Sequence, residues 1–372
     1  LFVGTEFGMF FSLDAGSSWN KFKNVPTIPI RDLEIHEIED DLVAASFGRG
    51  FYIVDDYSPI REYSKSIEEK YAHLFSVKDT YQYIIASPEK TATGHNFFTS
   101  PNPPYGIKLS HYLGESLLSK FEKRQKDESF KFDRGEMINY PTSERLESES
   151  KERSPKIYFT ITDNEGNVVR RISSNTKKGY HETYWDLRTF SQSNIDKENN
   201  YSGPLVPPGK YNVHLEKFEN DKLQKITNKK TFNVIQIGSN SSQEEREILY
   251  DFQIKFDRLL SDVNNLINDI NNEIERIDGE INKSLNLSSE TDLEIINKKK
   301  GEIMDLKMIL TGTRSLNYAD VFSGSPPSVQ RRLGNMNWEL YNTTSKPTNT
   351  HFNSYDISKN KYEEVLLKFK NL

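Results

Sequence analysis

Cysteine is absent from all 372 residues. Disulfides and thiolate metal sites are therefore excluded, although the lack of cysteine does not fix a compartment. No apolar run approaches the roughly 20 residues that a membrane-spanning helix requires. A charge excess of one sign is missing too. Lys and Arg number 49 against 55 Asp and Glu, a formal net charge of -6 with the signs interspersed, so neither a nucleic-acid binder nor an acidic tail is indicated. The sequence also has no His-Glu-x-x-His, no Gly-x-Ser-x-Gly, no phosphate-cradling glycine loop and no dinucleotide fingerprint. Its seven histidines are scattered without metal-ligand spacing. Neither a metal nor a cofactor is expected.

What is present begins with Ser12-Leu13-Asp14-Ala15-Gly16-Ser17-Ser18-Trp19. Two short apolar runs precede it, Leu1 to Thr5 and Gly8 to Ser12, and glycine breaks them in the way adjacent antiparallel strands require. The stretch has the Ser-x-Asp-x-Gly-x-x-Trp pattern of the Asp-box in BNR repeats. Asp14 can accept turn amides, Gly16 allows positive φ, and Trp19 can lie over the hairpin as a buried lid. Ser12, Asp14, Gly16 and Trp19 thus have structural roles. One such blade cannot bury its sheet alone, so the chain reads as the tail of a larger ring with further blades upstream.

Residues 30 to 56 alternate again and suggest another blade. Within them Phe47-Gly48-Arg49-Gly50 forms a turn whose glycines carry an arginine outward. Arg49 is the one binding candidate. Its alternative role is to pair with Asp55 or Asp56 and close the ring. Residues 1 to 61, ending Asp55-Asp56-Tyr57-Ser58-Pro59-Ile60-Arg61, resemble the close of a sortilin-like propeller. Bacterial proteins of that family, often labelled BNR-repeat glycosyl hydrolases, carry further C-terminal domains, including an Asn-Pro-Pro-Tyr-Gly segment like that at 102 to 106.

From Tyr71 to Ile237 the alternation suits a β-sandwich, interrupted at 114 to 155 by a charged insertion that is mobile or partly helical. The order Asp163-x-x-Gly166-x-Val168-Val169-Arg170, Trp185-Asp186-Leu187-Arg188, Pro207-Pro208-Gly209-x-Tyr211 resembles an Ig-like domain of bacterial envelope proteins. That likeness implies spacer and docking roles, with Trp185 in the core. His181 beside Glu182 lacks a nucleophile and an orienting group, so it is not a catalytic dyad.

After Ile237 the apolar period becomes helical. The stripe from Phe252 to Ile281 lies within a long first helix of about 40 residues. A second helix covers Ile296 to Leu310, a third opens at Ser325-Pro326-Pro327, and a fourth runs from Ser358 to Lys370. Phe252 and Phe256 should pack on the sandwich, because the later helices are too short to cover the first. The fold class is multidomain, mainly β then α: the end of an Asp-box β-propeller over 1–63, an Ig-like β-sandwich over 71–237, and a C-terminal antiparallel helical bundle over 241–372.

Two functions follow. In the first, a bacterial envelope or secreted protein binds a protein or glycan partner without catalysis; the resemblance implies an extracytoplasmic location, and the Asn-, Lys- and Ile-rich composition with these modules would suit a Bacteroidetes-type organism. In the second, a glycoside hydrolase keeps its acid and base in the upstream blades. Asp55-Asp56 cannot supply both groups here, because adjacent strand residues face opposite sides.

Overall fold

Alternating apolar residues in the first two thirds build small sheets, and the helical period of the last third builds four helices. The computed structural model describes residues 1–84, 102–191, 202–286, 293–312 and 327–372. It falls into two compact units. The first holds Leu1–Tyr81, Glu89–Asp186 and Gly209–Ile235, and the second holds Gln82–Pro88, Leu187–Pro208 and Gln236–Leu372.

In the first unit, β1 (Phe2–Thr5), β2 (Gly8–Phe11) and β3 (Asn20–Lys21) form one antiparallel sheet, and β4 (Ile30–His36), β5 (Asp41–Ser46) and β6 (Phe51–Val54) form another. Met9, Val25, Ile30, Leu42, Ala44 and Tyr57 make their shared core. Gly4 is required at the crossing, since a methyl there would come 2.7 Å from the Ile30 side chain. Two sheets thus stand where blades were expected, and among the described residues they do not close a ring.

Two short helices follow, α1 (Ser58–Glu62) and α2 (Lys65–Glu68), and then strands β7 (Ala72–Leu74), β8 (Thr80–Gln82) and β9 (Ile107–Leu113). The charged insertion is helical, with α3 (Lys120–Asp133) and α4 (Ser143–Ser150), and neither helix has a buried residue. Next come β10 (Lys156–Thr162), β11 (Val168–Ser174), β12 (Gly179–Trp185), β13 (Arg188–Phe190), β14 (Ser202–Leu205), β15 (Gly209–Glu219), β16 (Lys222–Lys225) and β17 (Lys230–Gln236). One sheet has the order β11-β10-β15-β17-β8, with β16 added beside β15, and another has the order β12-β9-β7. Rings join the two sheets. Trp185 of β12 meets Tyr211 of β15 at 5.8 Å and Phe232 of β17 at 6.2 Å, and His111 of β9 meets Phe159 of β10 at 5.2 Å. Trp185 is fully buried in this core.

In the second unit, the short β13-β14 ribbon accompanies α5 (Gln243–Asn286), α6 (Leu293–Thr311), α7 (Val329–Tyr341) and α8 (Asn349–Lys370). The four helices share one core, from Leu249 and Phe256 at one end to Ile277 and Ile303 at the other. Phe252 packs edge-on against Phe352 and Tyr355 of α8, at 4.8 and 5.6 Å, and Phe256 lies in the same core. The expected packing of Phe252 and Phe256 on the sandwich is therefore corrected. Helix α8 begins nine residues before the expected Ser358, and the added turns reach Phe252. A Thr348 to His351 capping box starts it. The third helix starts at Val329 on a Ser328 cap. Ser325 and Pro326 lie outside the described residues.

Buried polar groups fasten the ribbon to α5. Gln82 Nε2 donates to the Val206 carbonyl at 2.7 Å while its Oε1 accepts from Arg246 at 2.7 Å. Ser191 Oγ donates to Asp257 Oδ1 at 3.0 Å. Satisfied in this way, groups that would be costly alone set the position of the strand segment.

Candidate functional site

The first hairpin is built by the Asp-box residues themselves. Ser12 Oγ donates to Asp14 Oδ1 at 2.9 Å and accepts from the Gly16 amide at 2.7 Å. Asp14 in turn accepts from the Ser18 amide at 2.8 Å and the Ser18 hydroxyl at 2.6 Å. The Ser18 hydroxyl, the Ser18 amide and Ser12 hold the Asp14 carboxyl down at about 2. Ala15 and Gly16 both take positive φ, 56° and 96°, the local cost of the tight turn. Trp19 lies beside Gly16, but 44% of it is exposed. The expected buried lid is corrected: Trp19 stays partly open to solvent.

The turn from β5 to β6 presents the candidate arginine. Ser46 anchors it, its amide and hydroxyl both donating to the Gly50 carbonyl at 3.0 and 2.8 Å. Gly48 and Gly50 take φ of 81° and 71°, which favour glycine. Arg49 is exposed, and among the described residues it makes no ion pair. The alternative closure through Asp55 or Asp56 is not formed. Asp56 pairs instead with Lys78 at 3.3 Å.

Around Arg49 the sheet offers an apolar surface. Cross-strand pairs Val43 with Ile53 and Ala45 with Phe51 place these four on one face, opposite the Leu42, Ala44, Tyr52 and Val54 side that faces the core. Phe51 is 74% exposed, and Phe47 and Ile53 are also open to solvent. Arg31 covers Phe47 from 5.0 Å and reaches Glu6 at 3.1 Å. Edge strand β6 pairs only with β5 among the described residues. Two arginines, two phenylalanines and an unpaired strand edge are the kinds of groups that dominate binding interfaces.

A cluster of polar side chains lies at the other end of these strands. Asp40 takes Lys78 at 3.2 Å and Arg61 at 2.9 Å, and despite burial these cations hold its carboxyl below the ordinary range. Lys108 Nζ donates to the Asp55 carbonyl at 3.0 Å and pairs with Glu182 at 3.2 Å. Burial and the nearby Asp41 push the Asp55 carboxyl up. Tyr180 OH lies 3.0 Å from Ser110 Oγ and 3.1 Å from Glu182 Oε2, and burial pushes its ionisation up. Each strong donor in this cluster is committed to a neighbour, which suits fastening better than proton transfer. His181 points elsewhere, with Nε2 2.7 Å from the Lys177 carbonyl.

Sequence reasoning missed His111. It is fully buried, among the described residues its ring nitrogens make no hydrogen bond of ordinary geometry, and burial with His181 nearby holds it down at about 4, against a weak opposing contact with the Asn175 backbone. The signal was available, because alternation in Ile107–Leu113 sets residue 111 on the apolar face with Leu109 and Leu113. A further recess of 590 Å³ between α5 and α8 is lined by Tyr355 and Tyr362. Its acidic and basic residues balance, so it offers no field of one sign. Among the described residues no cluster of His, Asp or Glu suits a metal ion, and no helix is long and apolar enough to cross a membrane. Comparison with family models, with curated proteins and with solved structures finds no match.

Proposed function

We propose that this chain is part of a bacterial envelope or secreted sortilin-like propeller protein and acts by binding a protein or glycan partner, not by catalysis. In this reading β1 to β6 are propeller blades, the paired sheets are an Ig-like spacer, and the helices are an antiparallel bundle. The observation that carries it is the exposed face of Phe51, Ile53 and Phe47 with an exposed Arg49 at its end. Aromatic and arginine side chains of this kind stack on sugar rings or fill peptide pockets.

The test is an array of immobilised glycans and peptides probed with the purified chain. Arg49→Ala and Phe51→Ser, both at exposed positions, should leave the fold intact and each weaken the strongest interaction by about tenfold. Product release from a panel of aryl glycosides or sialosides, abolished in Arg49→Ala, would overturn the non-catalytic reading.

A further inference from the structure

The end of the α3–α4 hairpin carries a second apolar surface, built differently from the first. Phe130, Phe132, Met137, Ile138 and Tyr140 are all exposed, with Phe132 at 74%, Met137 at 86% and Tyr140 at 98%. The base of the hairpin is firmly tied. Ser119 caps α3, the Lys120 amide donates to Glu152 at 2.6 Å, Lys123 reaches Glu219 at 3.2 Å, and Arg124 grips Glu149 of α4. From Lys123 to Phe132 is nine residues, or about 14 Å of helix, so the apolar tip stands well beyond its last anchor.

Two features say what this tip meets. Phe130 and Phe132 sit two residues apart on a helix, about 200° around its axis, and Met137 to Tyr140 follow in the connecting loop. Apolar groups spread around an end do not match a one-sided protein groove, but they suit a medium that surrounds the end. The charges of the tip are also closed on themselves. Lys131 holds Asp127 at 2.8 Å, Arg134 holds Glu136 at 2.7 Å and lies 4.3 Å over the Phe130 ring. Residues 130 to 140 contain Lys131, Asp133, Arg134 and Glu136, which sum to zero. A neutral, pair-bearing tip complements a zwitterionic headgroup layer, with aromatic rings at the depth where such rings prefer to sit.

We propose that the α3–α4 tip inserts into the interface of a lipid bilayer through Phe130, Phe132, Met137, Ile138 and Tyr140, driven by apolar burial and not by attraction to anionic lipid. This site is separate from the Arg49 face and does not depend on its ligand. Flotation of the full chain with phosphatidylcholine and phosphatidylethanolamine vesicles tests it. The chain should float, and F132S/M137S/Y140S should lower the bound fraction by roughly tenfold or more. Molar salt or added phosphatidylglycerol should change binding by less than about twofold. A Tyr140→Trp chain should shift its emission to the blue on vesicles. No flotation, undiminished flotation of the triple variant, a requirement for anionic lipid, or an unshifted Tyr140→Trp spectrum would each overturn the proposal, the first in favour of a protein partner for the tip.

Discussion

At the residue scale, His111 makes the sharpest statement about stability. The unfolded chain takes up a proton on this ring near the ordinary 6.5, whereas the folded protein resists protonation to about 4. Because the unfolded state binds more protons in that window, the contribution is complete above pH 6.5 and is lost as the pH falls towards 4, a change on the order of 3 kcal/mol. His111→Leu should keep the contact with Phe159 apolar and flatten the pH dependence, while His73, also held down by burial, titrates in both proteins. Denaturant midpoints at pH 7 and pH 4.5 check this, and equal slopes for the two proteins would contradict it. Single residues were unevenly legible in the sequence. Asp14 accepts a turn amide as its spacing suggested, whereas the bonds of the Ser12 hydroxyl to Asp14 and to the Gly16 amide were not foreseen. The exposure of Trp19 and the free state of Arg49 depend on neighbours far along the chain, which no local pattern carries.

At the scale of elements, the long helix was the most legible. Its apolar stripe repeats over many turns, and α5 runs to 44 residues against an expected length of about 40. The start of α8 was not legible, since Asn349 to Asp356 has weak helix formers and its box uses a histidine at the third position. The insertion was expected to be mobile or partly helical and holds two helices, but their number and bounds were not legible, because without a buried face a helix leaves no clear stripe. The entry to β9 shows how one backbone position can decide an element. Gly106 has φ of 110°, and a methyl there would stand 1.9 Å from the Trp185 carbonyl, with no flexible side chain to yield. Gly106→Ala should destabilise the β9–β12 pairing by about 3 kcal/mol or more, seen as a lower denaturant midpoint and faster amide exchange in 107–113. Wild-type exchange there would show that the turn relaxes freely.

At the scale of the molecule, the mixed β and α character and the helical C-terminal region were readable from the change of period near Ile237, whereas which surfaces remain uncovered was not. Two uncovered apolar regions emerged, both in the first unit: the Phe51 face with Arg49, and the α3–α4 tip. The account assigns partner recognition to the first, so the most direct test is to watch that face when a ligand binds. Hydroxyl-radical footprinting of the chain, alone and saturated with its strongest array ligand, reports on individual side chains. The account predicts that oxidation of Phe47 and Phe51 falls by roughly fivefold or more as they leave water, while Tyr140 at the hairpin tip oxidises as before. Unchanged oxidation of Phe47 and Phe51 under saturating ligand would contradict it.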